Sequence, residues 1–170
     1  MKIQEAIKTR RSIRRYTGEA LTEQQLHMLL EAGFYAPTAR NLQPTSFVVI
    51  QDKALLEQIA GEQPNAKYCV EAGCGILVCG DQNIDEDGYL AENAAAAIQN
   101  MMLAAHAMEL GTVWCGVYPR EPRVESFRKI CKLPAHILPV GFMIVGYPAE
   151  EKEIPERFRM EMVYRDQWQA

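Results

Sequence analysis

The sequence predicts an α+β fold from three observations: four short apolar strands, helical segments between them, and one long alanine-rich helix. The strands are expected at 46–51, 75–80, 112–118 and 137–147, where β-branched and apolar residues run between turn residues. With 48% hydrophobic residues among its 170, the chain has enough apolar material for the core of one domain spanning 1–170.

The shorter helices follow from apolar residues that recur three or four positions apart. Thr22 followed by Gln25 forms the pattern of a capping box, which predicts the start of a helix over 22–36 that stops before Pro37. Further helices are expected at 2–9, 53–61 and 119–131.

The segment 89–110, YLAENAAAAIQNMMLAAHAMEL, predicts a helix that is apolar nearly all the way round, with Gly111 as its C-cap. Such a helix is buried on several sides, and in a chain this small that indicates a subunit interface. His106 within it is interpreted as a core histidine rather than a catalytic one. The tail 149–170 alternates charged and apolar residues, so we expect it to lie across a partner subunit rather than fold alone.

A basic cluster near the start of the chain points to an anion. Five of the 18 basic residues fall between positions 8 and 15, although the net charge is −4. This acidic balance argues against a nucleic-acid partner, which needs phosphate contacts spread over a face. Arginine guanidinium groups match phosphate oxygens bidentately, so one small phosphate suits the cluster. From the residues alone, simple solvation of a helix end remains an equal alternative.

Several other classes of protein do not fit. No basic-then-apolar leader and no apolar run of membrane-spanning length is visible, so we expect a cytoplasmic protein without a membrane partner. The five cysteines match neither a zinc site nor a disulfide framework and are expected to be reduced thiols. No serine lies in a G-x-S-x-G elbow, and the Gly73-Cys74-Gly75 string precedes its strand instead of following it. Any reaction should therefore belong to a cofactor.

Two motifs carry a family resemblance: RRSIR at 10–14 and APTARNLQPTSF at 36–47. Together they resemble the nitroreductase family of FMN-dependent oxidoreductases, whose members open with R-R-S-x-R and carry an A-P-S-A-x-N-x-Q-P-W-x-F loop. Further matches in the same order are QNM at 99–101, WCG at 114–116 and VGYP at 145–148.

The resemblance implies an interlocked homodimer built on a mixed sheet flanked by helices, with FMN at the subunit interface. It implies electron transfer from NADH or NADPH to a small acceptor such as a nitroaromatic or quinone, by ping-pong kinetics through flavin N5, with no catalytic side chain and no metal. Phosphate, ribityl and pyrimidine contacts fall to Arg10, Arg11, Ser12 and Arg14, with Arg157 (or Lys152) as a tail cation on the phosphate. The remaining implied FMN contacts are Asn65 and Lys67 at the ring, Cys115 and Gly116 through the backbone facing N5, and Pro37, Thr38, Ala39, Asn41 and Gln43 in a loop over the flavin of the other subunit.

The sequence departs from the family pattern at three points. Thr38 replaces the usual Ser and keeps the hydroxyl, whereas Thr45 replaces a Trp and removes a large aromatic side chain. The chain is also short, with little room for the insertions that narrow the pocket in longer members. Two alternatives therefore stay open: a specialised reaction on the same fold (reductive dehalogenation, dehydrogenation or flavin fragmentation) and an FMN-binding protein without turnover.

Overall fold

A four-stranded antiparallel sheet forms the middle layer of the computed structural model, which describes residues 1–85 and 88–168. The strands are β1 (Thr45–Ile50), β2 (Gly75–Asp81), β3 (Gly111–Gly116) and β4 (Ile137–Gly146), in the order β1-β2-β4-β3. The predicted α+β class is confirmed. Within the described residues, the parallel component of the expected mixed sheet is a single bridge between Ser12 and Thr112.

Six α-helices surround this sheet in the described part of the chain. They are α1 (Ile3–Thr9), α2 (Glu23–Phe34), α3 (Lys53–Glu62), α4 (Cys69–Ala72), α5 (Leu90–Ala107) and α6 (Glu121–Ile130). Single 3-10 turns occur at Ala39–Asn41, Pro64–Ala66 and Met160–Met162. None of the described helices has the length and apolar character that a bilayer crossing requires.

Helix α2 begins as its sequence predicts. The Thr22 hydroxyl accepts a hydrogen bond from the Gln25 backbone N–H, and the Gln25 side chain accepts one from the Thr22 N–H. This reciprocal capping box satisfies two N–H groups that the first turn would otherwise leave unpaired.

The predicted end of the long helix is wrong. Helix α5 stops at Ala107, and Glu109 rather than glycine adopts the left-handed backbone conformation, with φ of 62°. Gly111 is the first residue of β3, where a Cβ atom would lie 2.9 Å from the side chain of Ile13. Glycine is therefore needed at this position for close approach to a neighbouring segment and not for capping.

The core consists of two layers, one on each face of the sheet. Along β4, Phe142 and Ile144 face the cluster that includes α3, α4 and α6, whereas Met143 and Val145 face the cluster that includes α2 and α5. This alternation follows from the two-residue period of a strand. The last strand is therefore buried on both faces.

The tail after Pro148 differs from the rest of the chain because residues 151–168 are all exposed. Apolar side chains are exposed along it, including Phe158 at 74% and Trp168 at 75%. The last two residues of the predicted tail lie outside the described residues. The five cysteines are free, and four of them are buried.

Candidate functional site

The segment that carries the arginines lies extended along the edge strand β3. Helix α1 ends at Thr9, and the Ile13 backbone N–H then donates to the Thr112 carbonyl oxygen at 2.9 Å. Ser12, half-buried, forms the bridge to the same residue of β3. Ile13 and Tyr16 are buried, and the Tyr16 hydroxyl donates to the Ile13 carbonyl oxygen. These anchors fix the backbone from which the arginine side chains project.

Three arginines converge at one end of this segment, and we name Arg10, Arg11 and Arg157 the arginine cluster. They line one cavity of about 640 Å³ between α1, α5 and the tail. Burial lowers the pKa of Arg10, and the positive charges of Arg11 and Arg157 lower it further. Like charges therefore stand close together, which is unfavourable unless an anion separates them.

Acidic side chains share the cavities around these arginines: Glu156 lines the same cavity, and Glu109, Glu150 and Glu151 line a neighbouring one beside Arg10 and Arg11. None of the ion pairs found among residues 1–85 and 88–168 includes a member of the arginine cluster. The Nη1 atom of Arg10 is buried and has no hydrogen-bond partner there. Arg11 instead donates to backbone carbonyl oxygens, to Lys8 at 2.6 Å and to Glu153 at 3.1 Å, and so ties α1 to the tail.

His106 lies at the edge of this cluster and not in the core, contrary to the prediction. It is half-buried, lines a second cavity of about 450 Å³ beside Arg10 and Arg11, and its Nε2 is 2.7 Å from the Thr9 hydroxyl oxygen. Burial lowers the pKa of His106, and the two arginines lower it further. The imidazole is therefore held in its neutral form.

Arg14, Asn65, Cys115 and Gly116 gather at the other end of the arginine segment. The Cys115 thiol donates to the Asn65 carbonyl oxygen at 3.1 Å. Burial raises the pKa of Cys115 to about 11, although the positive charge of Arg14 opposes that shift. The thiol stays protonated near neutral pH and acts as a donor, not as a nucleophile.

Two further basic residues, Arg123 and Lys67, differ in their contacts with this group. Arg123 donates to the Gly116 carbonyl oxygen at 2.7 Å, which fixes the end of β3. Lys67 is exposed and lies over the ring of Tyr68, with Nζ 5.5 Å from its centroid. Lys67 is therefore not brought into contact with the cysteine or the arginines.

Glu150, which no sequence motif marks, also lies at this site. Its carboxylate accepts from the Arg14 backbone N–H and pairs with the Lys152 ammonium group, each at 2.6 Å. Lys152 and the Arg14 N–H lower the pKa of this carboxyl group. Lys152 is thus already paired, which leaves Arg157 as the tail cation in the arginine cluster.

The loop at 37–43 lies elsewhere in the same chain. Its Ala39 N–H donates to the side-chain oxygen of Asn93, near the start of α5, whereas His106 is near the end of that helix. At about 1.5 Å per residue, these two positions are roughly 20 Å apart along the helix axis. Within one chain, the loop and the arginine cluster are therefore far apart.

The loop itself has an unusual backbone. Arg40, Asn41 and Gln43 have positive φ of 50° to 55°, and none of them is glycine. The Thr38 hydroxyl accepts from the Gln43 N–H at 3.0 Å, so the change from Ser to Thr keeps a working hydrogen bond. Pro37 is exposed, and a cavity of about 300 Å³ lies beside Phe34 and Thr45.

The chain also matches a known family in sequence. A sequence profile described as the Nitroreductase family matches residues 7–68 and 71–147, and the chain belongs to that family. The matched ranges include all the predicted site residues except Arg157.

Relatives resemble the chain over nearly its whole length. A protein from Methanothermobacter thermautotrophicus, assigned as an NADH dehydrogenase/NAD(P)H nitroreductase, is 36% identical over 99% of this chain and 88% of its own. An FMN reductase (NADPH) of Bacillus subtilis is 30% identical over 95% of this chain and 72% of its own. A crystal structure from Desulfovibrio desulfuricans, assigned as a nitroreductase in complex with FMN, is 31% identical, with a TM-score of 0.84 over 99% of this chain and 98% of its own.

Proposed function

We propose that the protein is an FMN-dependent oxidoreductase that uses NADH or NADPH to reduce a small acceptor such as a nitroaromatic or a quinone. Family membership and the activities assigned to the relatives support this reaction class. The observation that carries the proposal is the arginine cluster, which has a buried guanidinium nitrogen without a partner in the described residues.

The arginine cluster fits the phosphate of FMN. A phosphate monoester has close to two negative charges near neutral pH and three acceptor oxygens. It would supply acceptors for the unpartnered Arg10 nitrogen and relieve the repulsion among the three guanidinium groups. Ser12, next in the chain, adds a hydroxyl donor on the same extended segment.

The group around Arg14 and Cys115 fits the ring of the same cofactor. Bound FMN supplies the redox chemistry, because its ring can take electrons from a nicotinamide and release them to an acceptor. Arg14 adds positive charge that stabilises negative charge on the ring, and the β3 backbone at Cys115 and Gly116 provides polar groups at a fixed edge. Asn65 is held against that edge by the Cys115 thiol. Lys67, which has no contact with this group, is proposed only as a more distant ring contact.

A second copy of the chain completes the site in this proposal. The arginine cluster and the loop at 37–43 lie toward opposite ends of α5, so two chains related by a twofold axis with antiparallel α5 helices bring one of each together. Ala39, Asn41 and Gln43, with Pro37 and Thr38, then reach over the flavin held mainly by the other chain.

The surface around α5 supports such a dimer. Ile3, Ile7 and Tyr35 are 56% to 80% exposed, and a groove of about 340 Å³ runs between α1, α2 and α5. The apolar side chains exposed along 151–168, within the predicted tail 149–170, would cover apolar surface of the partner, and the chain would form a single domain of 1–170. We propose a cytoplasmic homodimer with no nucleic-acid or membrane partner.

The test is reconstitution with FMN. The purified protein should show the visible flavin spectrum, elute as a dimer, and lose the flavin band when NADH or NADPH is added without oxygen. A protein that remains colourless after FMN is added would contradict the proposal. A yellow protein that neither nicotinamide bleaches would support binding without turnover. Removal of the tail after Ala149 should shift the elution volume toward a monomer, and an unchanged dimer would contradict the role given to the tail.

A further inference from the structure

Helix α5 carries a buried amide that the flavin site does not use directly. Among the buried residues of Leu90–Ala107, Asn93 is the one with a polar side chain, and it is 4% exposed. Its neighbours on the buried face are alanine, leucine, isoleucine and methionine. A polar group in such surroundings is costly unless its hydrogen bonds are made, so its partners indicate what it holds.

Both halves of the Asn93 amide are engaged. The side-chain oxygen accepts from the Ala39 backbone N–H, and the side-chain nitrogen donates to the Asp85 carboxylate, each at 3.0 Å. Asp85 is itself 3% exposed, and its other oxygen has no partner among the described residues. Asn93 therefore connects a buried carboxylate to the backbone of the 38–43 loop.

The hydrogen bonds that join Ala39, Asn93 and Asp85 fit only one orientation of the Asn93 amide. The Ala39 backbone N–H can only donate, so it takes the oxygen of Asn93, and the NH₂ group then donates to the oxygen of Asp85. The amide oxygen is thereby turned toward the loop, where the Ala39 N–H needs an acceptor. Asp85 thus supports the orientation of Asn93 that the loop requires.

The loop needs such support because its backbone is unfavourable in isolation. Arg40, Asn41 and Gln43 all have φ near +50°, a region that side chains other than glycine disfavour. Within the loop, the Thr38 hydroxyl and carbonyl oxygen hold the Gln43 and Asn41 N–H groups. The Asn93 side chain links this short loop to α5, and it acts where the turn begins.

We propose that Asn93, oriented by Asp85, is a positioning residue that fixes the conformation of the 38–43 loop. It touches no cofactor itself and acts by holding Asn41 and Gln43 where they meet the flavin of the other subunit. The role of the loop at the flavin rests on the proposed function above. The contact between Asn93 and the loop does not.

The first measurement is amide hydrogen exchange on the FMN-loaded protein, followed by mass spectrometry. Asn93→Leu keeps the side-chain volume and removes both hydrogen bonds, so exchange in peptides covering 38–43 should speed up about tenfold or more. Peptides from β2 and β4 should keep the wild-type rate. Asn100→Leu is the matched control, because Asn100 lies on the same helix but donates to the Ala32 carbonyl oxygen of α2. It should leave exchange at 38–43 unchanged.

A conservative pair of variants tests the part played by Asp85. Asp85→Asn keeps an oxygen that accepts from Asn93 and should retain most of the protection of the loop. Asp85→Leu removes that acceptor and should release the loop about as much as Asn93→Leu does. These variants also decide the matter if Asn93→Leu does not fold.

The second measurement is flavin binding. Asn93→Leu should weaken FMN and riboflavin by the same factor, about three- to tenfold, because the loop meets the ring and not the phosphate. The visible circular dichroism of bound FMN should change as well. Exchange at 38–43 within twofold of wild type in both Asn93→Leu and Asp85→Leu would overturn the inference. Faster exchange in a protein that binds no FMN would support the contact and refute the proposed function instead.

Discussion

The two ends of helix α5 are built on opposite physical principles. Toward its C-terminal half, Arg10, Arg11 and Arg157 stand close together, and none of the ion pairs in the described residues includes them. At its N-terminal end, Asn93 bonds to both Ala39 and Asp85 without any ligand, although the second oxygen of Asp85 has no partner among the described residues. The first end is unsatisfied until an anion arrives, whereas the second is already organised.

The difference shows how one helix can serve two half-sites. The arginine cluster contributes affinity for the cofactor, because its unpaired positive charges become favourable only when phosphate binds. The loop contributes a fixed shape to the site, because its strained backbone is held in one conformation before the cofactor binds. Variants at the two ends should therefore differ in kind, and the following predictions run from the largest effect to the smallest.

The hydrophobic core supports both ends of α5, so a substitution in the core should affect the two ends equally. Phe142 is fully buried on β4 and packs against Phe127, with ring centroids 5.1 Å apart. Phe142→Ala should lower the free energy of unfolding by about 3–5 kcal/mol, through lost burial and the cavity left behind. Chemical denaturation of the FMN-free protein measures this change. A loss below about 1 kcal/mol would show that the sheet is not the framework common to both ends.

The arginine end should respond strongly and only in cofactor binding. Arg10→Ala and Arg14→Ala should each weaken FMN by about 1.5–3 kcal/mol, the usual range for hydrogen bonds to charged groups. Arg15→Ala is the matched control, since Arg15 is an exposed neighbour on the same segment. Quenching of flavin fluorescence gives the dissociation constants. An equal loss of FMN affinity in all three variants would mean that positive charge in general, and not the positions of Arg10 and Arg14, binds the cofactor.

Substitutions at Cys115 should have a moderate effect on FMN affinity, and they test the role of its thiol apart from that of its backbone. Cys115→Ser keeps a donor for the Asn65 carbonyl oxygen, whereas Cys115→Ala removes it at a cost of about 1 kcal/mol in FMN affinity. Because burial holds the pKa of Cys115 at about 11, turnover should show no thiol titration between pH 6 and 9. Inactivation of both variants would contradict this structural role for the thiol.

His106 should produce the smallest change, as a pH dependence of stability in the FMN-free protein. Its pKa is lowered in the folded state by burial and by Arg10 and Arg11, so the unfolded chain binds a proton more readily. The free energy of unfolding should therefore decrease as the pH falls through about 6.5, the ordinary value for histidine. His106→Gln should flatten that part of the profile. An unchanged profile would place His106 outside the influence of the arginines.

The fold and the arginine end could be predicted from the sequence because their signals are local. The capping box at Thr22, the apolar strands and the pair Arg10 and Arg11 each lie within a few adjacent residues, whereas Arg157 is implied only by the family resemblance. Glu150 and Asn93 could not be predicted in the same way. Their roles depend on partners more than 50 residues away, at Arg14 and Ala39, and no spacing rule reports such contacts.

The end of α5 was mispredicted for a related reason. Gly111 follows the long helix closely enough to look like a C-cap, but tertiary packing against Ile13 assigns it to β3. His106 was likewise interpreted from its apolar neighbours in the sequence, whereas its position beside Thr9 and Arg10 comes from the folded arrangement.

The most direct test of the central claim is a comparison of FMN with riboflavin, which lacks only the phosphate. The arginine cluster predicts that the wild-type protein binds FMN at least about tenfold more tightly than riboflavin, since a charge-assisted hydrogen bond contributes about 1.5–3 kcal/mol. Arg10→Ala should remove most of that preference and leave riboflavin binding unchanged. Equal affinity of the wild-type protein for the two flavins would contradict the account.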